Sequence, residues 1–398
     1  MAHATAAPLG QVVIAGGGIG GLATALALAR ENIPSEVLER RPVFGEDGAG
    51  IQIGPNGTRI LAELGVRPML EECATTPDAL RIRDAMTGRD LARFPLGPWI
   101  AERHGAPYWT LHRRDLHRAL LEAVKHDPRI RIRTDMNVAA LSDEPEGVTA
   151  VMADGGVTKG SALIAADGAW SALRNDGFGG GAPRYTGKCA VRTVLPASSV
   201  PEGLRGPDVN LWLGPDVHVV HYPVSAGEAV ALVAIFDDGR IAGDWNSPCD
   251  RGWVGARRQR FAPLLKDLVA RPDTWRRWSL LALETPPKLA VGRRALLGDA
   301  AHPVLPFLAQ GGVMALEDAV VVARALAADP RDPARAFAAY ARDRAPRVRR
   351  VAEASRKNGR IYHMEGVMAA TRNLALRHIP PEHFMGRYDW LYGWTPPA

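Results

Sequence analysis

Cysteine and lysine are both scarce in this sequence. The three cysteines, Cys73, Cys189 and Cys249, lie far apart and are odd in number. They form neither a disulfide framework nor a zinc-binding spacing, which excludes a stapled secreted scaffold and points to a reducing cytoplasm. Lysine supplies only 6 of the 49 basic residues, and the arginines are scattered among Ala and Pro. The net charge of +6 therefore reflects composition, with no basic stripe or aromatic stacking platform, and no nucleic-acid partner is expected. Long apolar runs are missing too. None approaches the roughly 18 residues that span a bilayer, so no membrane partner is expected. The N-terminal stretch has no basic n-region and no long h-region, unlike a signal peptide.

What remains is an ordinary globular composition, 46% hydrophobic and 23% charged. A chain of 398 residues can bury a large core, and two interleaved domains are expected.

The most informative stretch lies near the start, "QVVIAGGGIGGLATALALARENIPSEVLER" (11–40). Val12 to Ala15 predict a strand buried on both faces. Gly16, Gly18 and Gly21 then spell G-x-G-x-x-G, with Gly20 inside the same turn. The first glycine makes a tight turn, the second lets a pyrophosphate approach the backbone, and the third lets helix and strand pack closely. The helix that follows aims its N-terminal N–H groups at phosphates. A second strand ends on Glu39, 18 residues after Gly21, where a carboxylate can accept from a ribose. A bound dinucleotide is the expectation; these residues alone leave NAD and FAD open.

Two further stretches narrow the choice. One is "ALIAADGAWSALRN" (162–175), a strand followed by Asp167 and Gly168. The other is "LLGDAAHPVLPFLAQGG" (296–312), with Asp299, two prolines and then glycines. Together with the first turn, this triplet closely resembles the class A flavoprotein aromatic hydroxylases, the para-hydroxybenzoate hydroxylase-like family, along nearly the whole chain. Within it the chain looks most similar to 3-hydroxybenzoate 6-hydroxylase-like, 6-hydroxynicotinate 3-monooxygenase-like and salicylate hydroxylase-like members.

The resemblance implies FAD as cofactor and NADH or NADPH as electron donor. No second G-x-G-x-x-G follows, which disfavours a layout with a separate nicotinamide domain. The fold implied is α/β: a Rossmann-like FAD-binding domain with an inserted antiparallel-sheet substrate domain and C-terminal helices. The expected pieces are 1–75, 102–182 and 283–355 for the FAD-binding domain, 76–101 and 183–282 for the substrate domain, and 356–398 for the C-terminal helix and tail.

Residue by residue, the resemblance implies that Asp299 bonds the ribityl chain while Pro303 and Pro306 pass by the flavin ring. Gln310, Gly311, Gly312 and Val313 open a helix, roughly 312–327, whose N–H groups face the flavin. A helix N-terminus stabilises an anion there. Glu39 and Arg40 match the adenosine-ribose pair, Arg113 the family arginine of an H-R-x-D-L motif, Val138 a backbone contact near the adenine, and Gln52 a pocket-facing position. The family usually has Gly where this chain has Ala309. Residues 334–357 read as a helical stretch interrupted at Pro346, and the aromatic tail 387–398 is expected to pack on the core or on a dimer partner.

The segment 208–236 holds short β-rich runs broken by turn signals, as an antiparallel meander does. Residues two apart on a strand share a face, so His218, Val220 and Tyr222 point one way and His221 the other. A register error of one residue would swap them, which keeps His221 as a rival. His218 and Tyr222 match the catalytic pair of the family. A flavin C4a-hydroperoxide is a modest electrophile, and a ring attacks it well once an ortho or para hydroxyl has lost its proton. Histidine is the side chain suited to take that proton at neutral pH. Gln52, Phe307 and Arg192 are the candidate substrate contacts, Arg192 as a carboxylate or flavin neighbour. The 6-hydroxynicotinate enzyme has histidines where this chain has Gln52 and Phe307, so its substrate is not carried over.

The function expected is therefore FAD-dependent hydroxylation, with or without decarboxylation, of a small hydroxylated aromatic or N-heteroaromatic acid with O2, in a cytoplasmic homodimer. The rivals are tailoring of a larger polycyclic product and an idle flavin-binding redox sensor.

Overall fold

The computed structural model describes residues 9–45, 48–239 and 247–397. The first eight residues, on which the reading of the N-terminus partly rests, lie outside them. Strand β1 (Val12–Ala15) is a buried apolar run, and helix α1 (Ile19–Arg30) returns to strand β2 (Ser35–Leu38). A strand–helix–strand crossover of this kind places β2 parallel to β1, and the two pair in register from Val12 with Ser35 to Ala15 with Leu38. The sheet holds six strands in the order Ala290–Val291, Arg294–Leu296, Ala162–Ala165, β1, β2, Ile130–Arg133. It is parallel apart from its first pair. Both expected acid-bearing turns, at Glu39 and Asp167, leave the same end of the two strands that flank β1, where open α/β sheets bind ligands.

A short strand, β3 (Gly50–Ile53), pairs with Trp109–His112 and bridges to a second, eight-stranded sheet. Its main strands are β4 (Arg184–Pro196), β5 (Val209–Gly214), β6 (Val217–Val224) and β7 (Ala229–Asp237). The order is Ser247–Cys249, Trp275–Ala282, β4, β7, β6, β5, Ala79–Asp84, Asp90–Pro95, with one parallel pair between β5 and Ala79–Asp84. One face of this sheet buries Val191, Trp212, Val219, Leu232 and Phe236 against Val254, Leu265 and Leu268 of two covering helices. The other face turns toward β3 and the segment at Phe307.

Helix α2 (Gly311–Ala328) packs along α1, and α3 (Pro333–Tyr362) packs over α2. The expected break at Pro346 does not occur: α3 is continuous through it. Pro346 lies on the exposed side, so the carbonyl it orphans faces water, while its neighbours Arg344 and Arg347 anchor the buried side. The aromatic tail packs on the chain itself. Trp390 lies under the Arg350 guanidinium at 4.0 Å, and the Tyr392 ring sits 6.1 Å from that of Tyr108. Among the described residues no helix is long and apolar enough to cross a membrane.

Candidate active site

The glycine turn is shaped by two close approaches. Gly16 has φ +114, and a Cβ there would meet the Ala166 carbonyl oxygen at 2.4 Å. A Cβ on Gly21 would stand 1.9 Å from the Gly16 carbonyl oxygen, so only glycine lets α1 start this near β1. Gly18 differs: a Cβ there would meet nothing within 4 Å, although Gly18 is the N-cap of α1. No side chain caps that helix. Open space over uncapped N–H groups is a cradle for a pyrophosphate. Glu39 borders it, its Oε2 accepting from Gly17 N at 2.8 Å and its Oε1 from Arg41 N at 3.0 Å. Arg40 is exposed beside it, and Val138 is buried at the start of its strand.

Gly20 in the first turn of α1 packs against Leu297 and against Ala315 of α2. This contact sets the N-terminal segments of the two helices side by side. Between them runs the Gly298–Asp299 turn. Gly298 N donates to Asp318 Oδ2 at 2.9 Å, which fixes the turn from below. Asp299 itself points into open space, yet enough protein surrounds it that loss of water raises its carboxyl, against the charges of His302, Arg113 and Arg192. Asp167 Oδ1 is buried with no hydrogen-bond partner among the described residues, and burial raises its pKa too. Arg113 opens the helix Arg113–His126, exposed, with its backbone N–H on the Ala49 carbonyl at 2.9 Å. An exposed acid at Asp299, an under-satisfied one at Asp167 and an uncapped helix at one sheet end are the donor and acceptor set that an extended dinucleotide can fill.

At the start of α2, Gln310 is the N-cap by backbone and Gly311 the first helical residue. The preceding Pro306–Leu308 turn ends on Ala309 at φ +52, the left-handed conformation that explains why glycine is usual there. Behind the helix start lies a buried ionic network. Asn56 Nδ2 donates to Gln310 at 3.0 Å and to Glu317 at 2.7 Å. Arg344 bonds Asp318 at 2.7 Å and Glu317 at 2.8 Å, Arg347 bonds Glu317 at 2.7 Å, and His302 bonds Asp318 at 2.6 Å. Burial alone would raise Asp318, but the charges of His302 and Arg344 hold it down at about 2. His302 thus braces the turn from below.

The eight-stranded sheet forms the opposite wall. In the β6–β7 ladder His218 pairs with Ile235 and Tyr222 with Ala231; in the β4–β7 ladder Arg192 pairs with Val233 and Ala190 with Ile235. Directly paired residues share a face, so His218, Tyr222 and Arg192 all project from one side. On that side a Cβ on Gly50 would lie 2.8 Å from the Tyr222 hydroxyl oxygen, and the Phe307 ring sits 5.4 Å from that of His218. Tyr108, which the sequence reading did not single out, donates to Gln52 Oε1 at 2.7 Å. His221 lies on the opposite face, its ring stacked 6.3 Å from Trp212.

Electrostatics separates these groups. Burial, then the charges of His363 and Lys188, hold His218 well below the ordinary histidine range, so it is neutral and able to accept a proton. Burial pushes Tyr222 up to about 12 against Arg192 and Gln52, so it stays a donor. The Arg192 guanidinium lies 5.0 Å over the Trp278 ring, and its Nε has no hydrogen-bond partner among the described residues. A neutral base, a phenol and a cation whose Nε has no partner among the described residues can together bind a ring that carries a carboxylate and a hydroxyl.

Residues 10–355 match the family model FAD_binding_3, described as an FAD binding domain. The chain is 38% identical over 385 residues to 3-hydroxybenzoate 6-hydroxylase of Polaromonas naphthalenivorans, covering 96% of each. It is 36% identical over 385 residues to 3-amino-4-hydroxybenzoate 2-monooxygenase PtmB3 of Streptomyces platensis, again covering 96% of each. Klebsiella pneumoniae HpxO, solved with FAD and uric acid, superposes with a TM-score of 0.83 at 29% identity, covering 95% of each chain.

Proposed function

The chain belongs to this FAD-binding family, and from that premise we propose that it hydroxylates a small aromatic acid bearing a ring hydroxyl, using FAD, NADH or NADPH, and O2. It is an FAD-dependent aromatic monooxygenase, with the para-hydroxybenzoate hydroxylase-like fold. The observation that carries the substrate class is the shared face of His218, Tyr222 and Arg192.

Gly16, Gly18, Gly20 and Gly21 would receive the pyrophosphate, and Glu39 and Arg40 the adenosine ribose. Val138, Asp167 and Arg113 would border the adenine and linker. Asp299, Pro306, Gly311, Gly312 and Val313 would line the flavin. When bound and reduced, FAD supplies the activated oxygen; the protein's own groups do the rest. Arg192 anchors the carboxylate, for which a desolvated guanidinium is well suited. His218 takes the proton of the ring hydroxyl, which makes the ring electron-rich where oxygen is added. Tyr222 donates a hydrogen bond to that oxygen. Gln52, held by Tyr108, and Phe307 bound the ring and keep water away.

The test is oxygen uptake by the FAD-loaded protein with NADH, then NADPH, across hydroxybenzoates, aminohydroxybenzoates and hydroxylated pyridine carboxylates. A compound that accelerates uptake with little hydrogen peroxide and yields a hydroxylated product supports the reading. No acceleration by any hydroxylated aromatic acid rejects it.

A further inference from the structure

His218 is 2% exposed, and its surroundings leave its proton no direct route to water. Phe307 covers one side at 5.4 Å between ring centres and Tyr362 meets it edge-on at 5.3 Å. Its Nδ1 lies 2.8 Å from His363 Nε2. His363 sits at the C-cap of α3, and its own Nδ1 lies 2.9 Å from Asp237 Oδ1 at the end of β7. Exposure rises at the end of this line: the His363 side chain is 6% exposed, that of Asp237 40%. Neither of the two hydrogen bonds, His218–His363 and His363–Asp237, follows from a sequence motif.

Resting on the function proposed above, we propose that His363 and Asp237 form a proton relay that carries the proton accepted by His218 out to solvent and returns it at product release. The tautomers follow from the distances. A carboxylate oxygen at 2.9 Å from His363 Nδ1 requires a proton between them, since two lone pairs would repel. His363 Nε2 is then the acceptor, so His218 carries its proton on Nδ1 and keeps the Nε2 lone pair for the substrate. The ring O–H bond breaks as N–H forms at His218 Nε2. The His218 Nδ1 proton passes to His363 Nε2, and the His363 Nδ1 proton passes to Asp237 and on to water. No imidazolium is left in the apolar wall, where an uncompensated charge is costly. When the product oxygen regains a proton, the three transfers run in reverse.

Lys188 on β4 is the competing group. It pairs with Asp237, and its Nζ lies 3.1 Å from His363 Nδ1. Asp216 also faces His363 and supports its protonated form, whereas burial and Lys188 oppose it. If Lys188 donated to Nδ1, both rings would carry their protons on Nε2 and His218 could not act as a base.

Long-range proton–nitrogen spectra of the FAD-loaded chain, labelled at histidine nitrogen, decide between the two states without substrate. At pH 8 both rings are expected in the Nδ1–H form, assigned with His218→Phe and His363→Gln. Asp237→Asn is expected to reverse both. A wild-type His218 in the Nε2–H form overturns the relay. A second measurement follows the phenolate absorbance of 3-hydroxybenzoate bound to the oxidised protein after a pH jump. In His363→Gln the band is expected to appear on the order of 10²-fold more slowly at unchanged affinity; an equal rate overturns the relay. Failure of 3-hydroxybenzoate to bind counts against the substrate reading, while the tautomer spectra still decide the relay.

Discussion

His218 and His221 stand in one strand and face opposite sides of its sheet. His218 shares its side with Tyr222 and Arg192, whereas His221 is buried against Trp212. Burial and the Arg83 charge hold His221 at about 3, so it stays neutral throughout the working range. The pair gives an internal control. His218→Asn is expected to lower the rate of product formation by about 10²–10⁴-fold while NADH oxidation continues toward hydrogen peroxide. His221→Gln is expected to keep both the rate and its pH profile. Unchanged coupled hydroxylation in His218→Asn over pH 6–9 would show that the base lies elsewhere.

Much of this arrangement was legible in the sequence because it is local. The turn from Gly16 to Gly21, the strand ending at Glu39 and the alternation along β6 each follow from a few neighbouring residues. Periodicity records which residues are buried, but not against what. Tyr108, Tyr362, His363 and the Arg344–Asp318 pair reach the site through the docking of distant segments, and no spacing announces them. The Pro346 expectation failed for a related reason: a proline rule describes an isolated helix, while α3 is held by buried arginines on its other side.

The open space at Gly18 separates cofactor binding from folding. Its φ of −77 and ψ of −176 suit any residue, and a Cβ would touch nothing within 4 Å. Gly18→Ala is therefore expected to cost less than about 1 kcal/mol in the apoprotein. The added methyl occupies the place assigned to the pyrophosphate, so the FAD dissociation constant is expected to rise at least about tenfold. Flavin-fluorescence titration beside apoprotein melting reads both. Loss of stability with unchanged FAD affinity would mean that the cradle lies elsewhere.

Arg192 is expected to trade stability for substrate binding. Burial lowers its pKa, and its guanidinium lies over the Trp278 ring. Arg192→Met removes a desolvated cation while keeping the stem, so the melting temperature is expected to hold or rise. The KM for a carboxylate-bearing substrate is expected to rise on the order of 10²-fold, with a smaller change for its carboxamide analogue. Equal effects on acid and amide would remove Arg192 from the carboxylate site.

The network behind the flavin turn predicts the behaviour in acid. Asp318 is held at about 2 against an ordinary 3.8, because the charges of His302 and Arg344 outweigh the burial that would raise it. A depressed carboxylate contributes stability that is fully present above its unfolded pKa and is lost as pH falls through its folded one. Asp318 therefore contributes roughly 2–3 kcal/mol above pH 4, fading toward pH 2. Because Asp318 also accepts from Gly298 N, the same protonation loosens the Asp299 turn, so FAD release is expected to accompany the loss of stability. Asp318→Asn should lower the melting temperature at pH 6 and flatten its slope below pH 4. Arg344→Met should cost more, about 3–5 kcal/mol, since it strands Glu317 and Asp318 without their shared partner. Melting followed by flavin fluorescence between pH 6 and 2.5 distinguishes the cases. An Asp318→Asn slope as steep as the wild type's would place the acid-sensitive group outside this network.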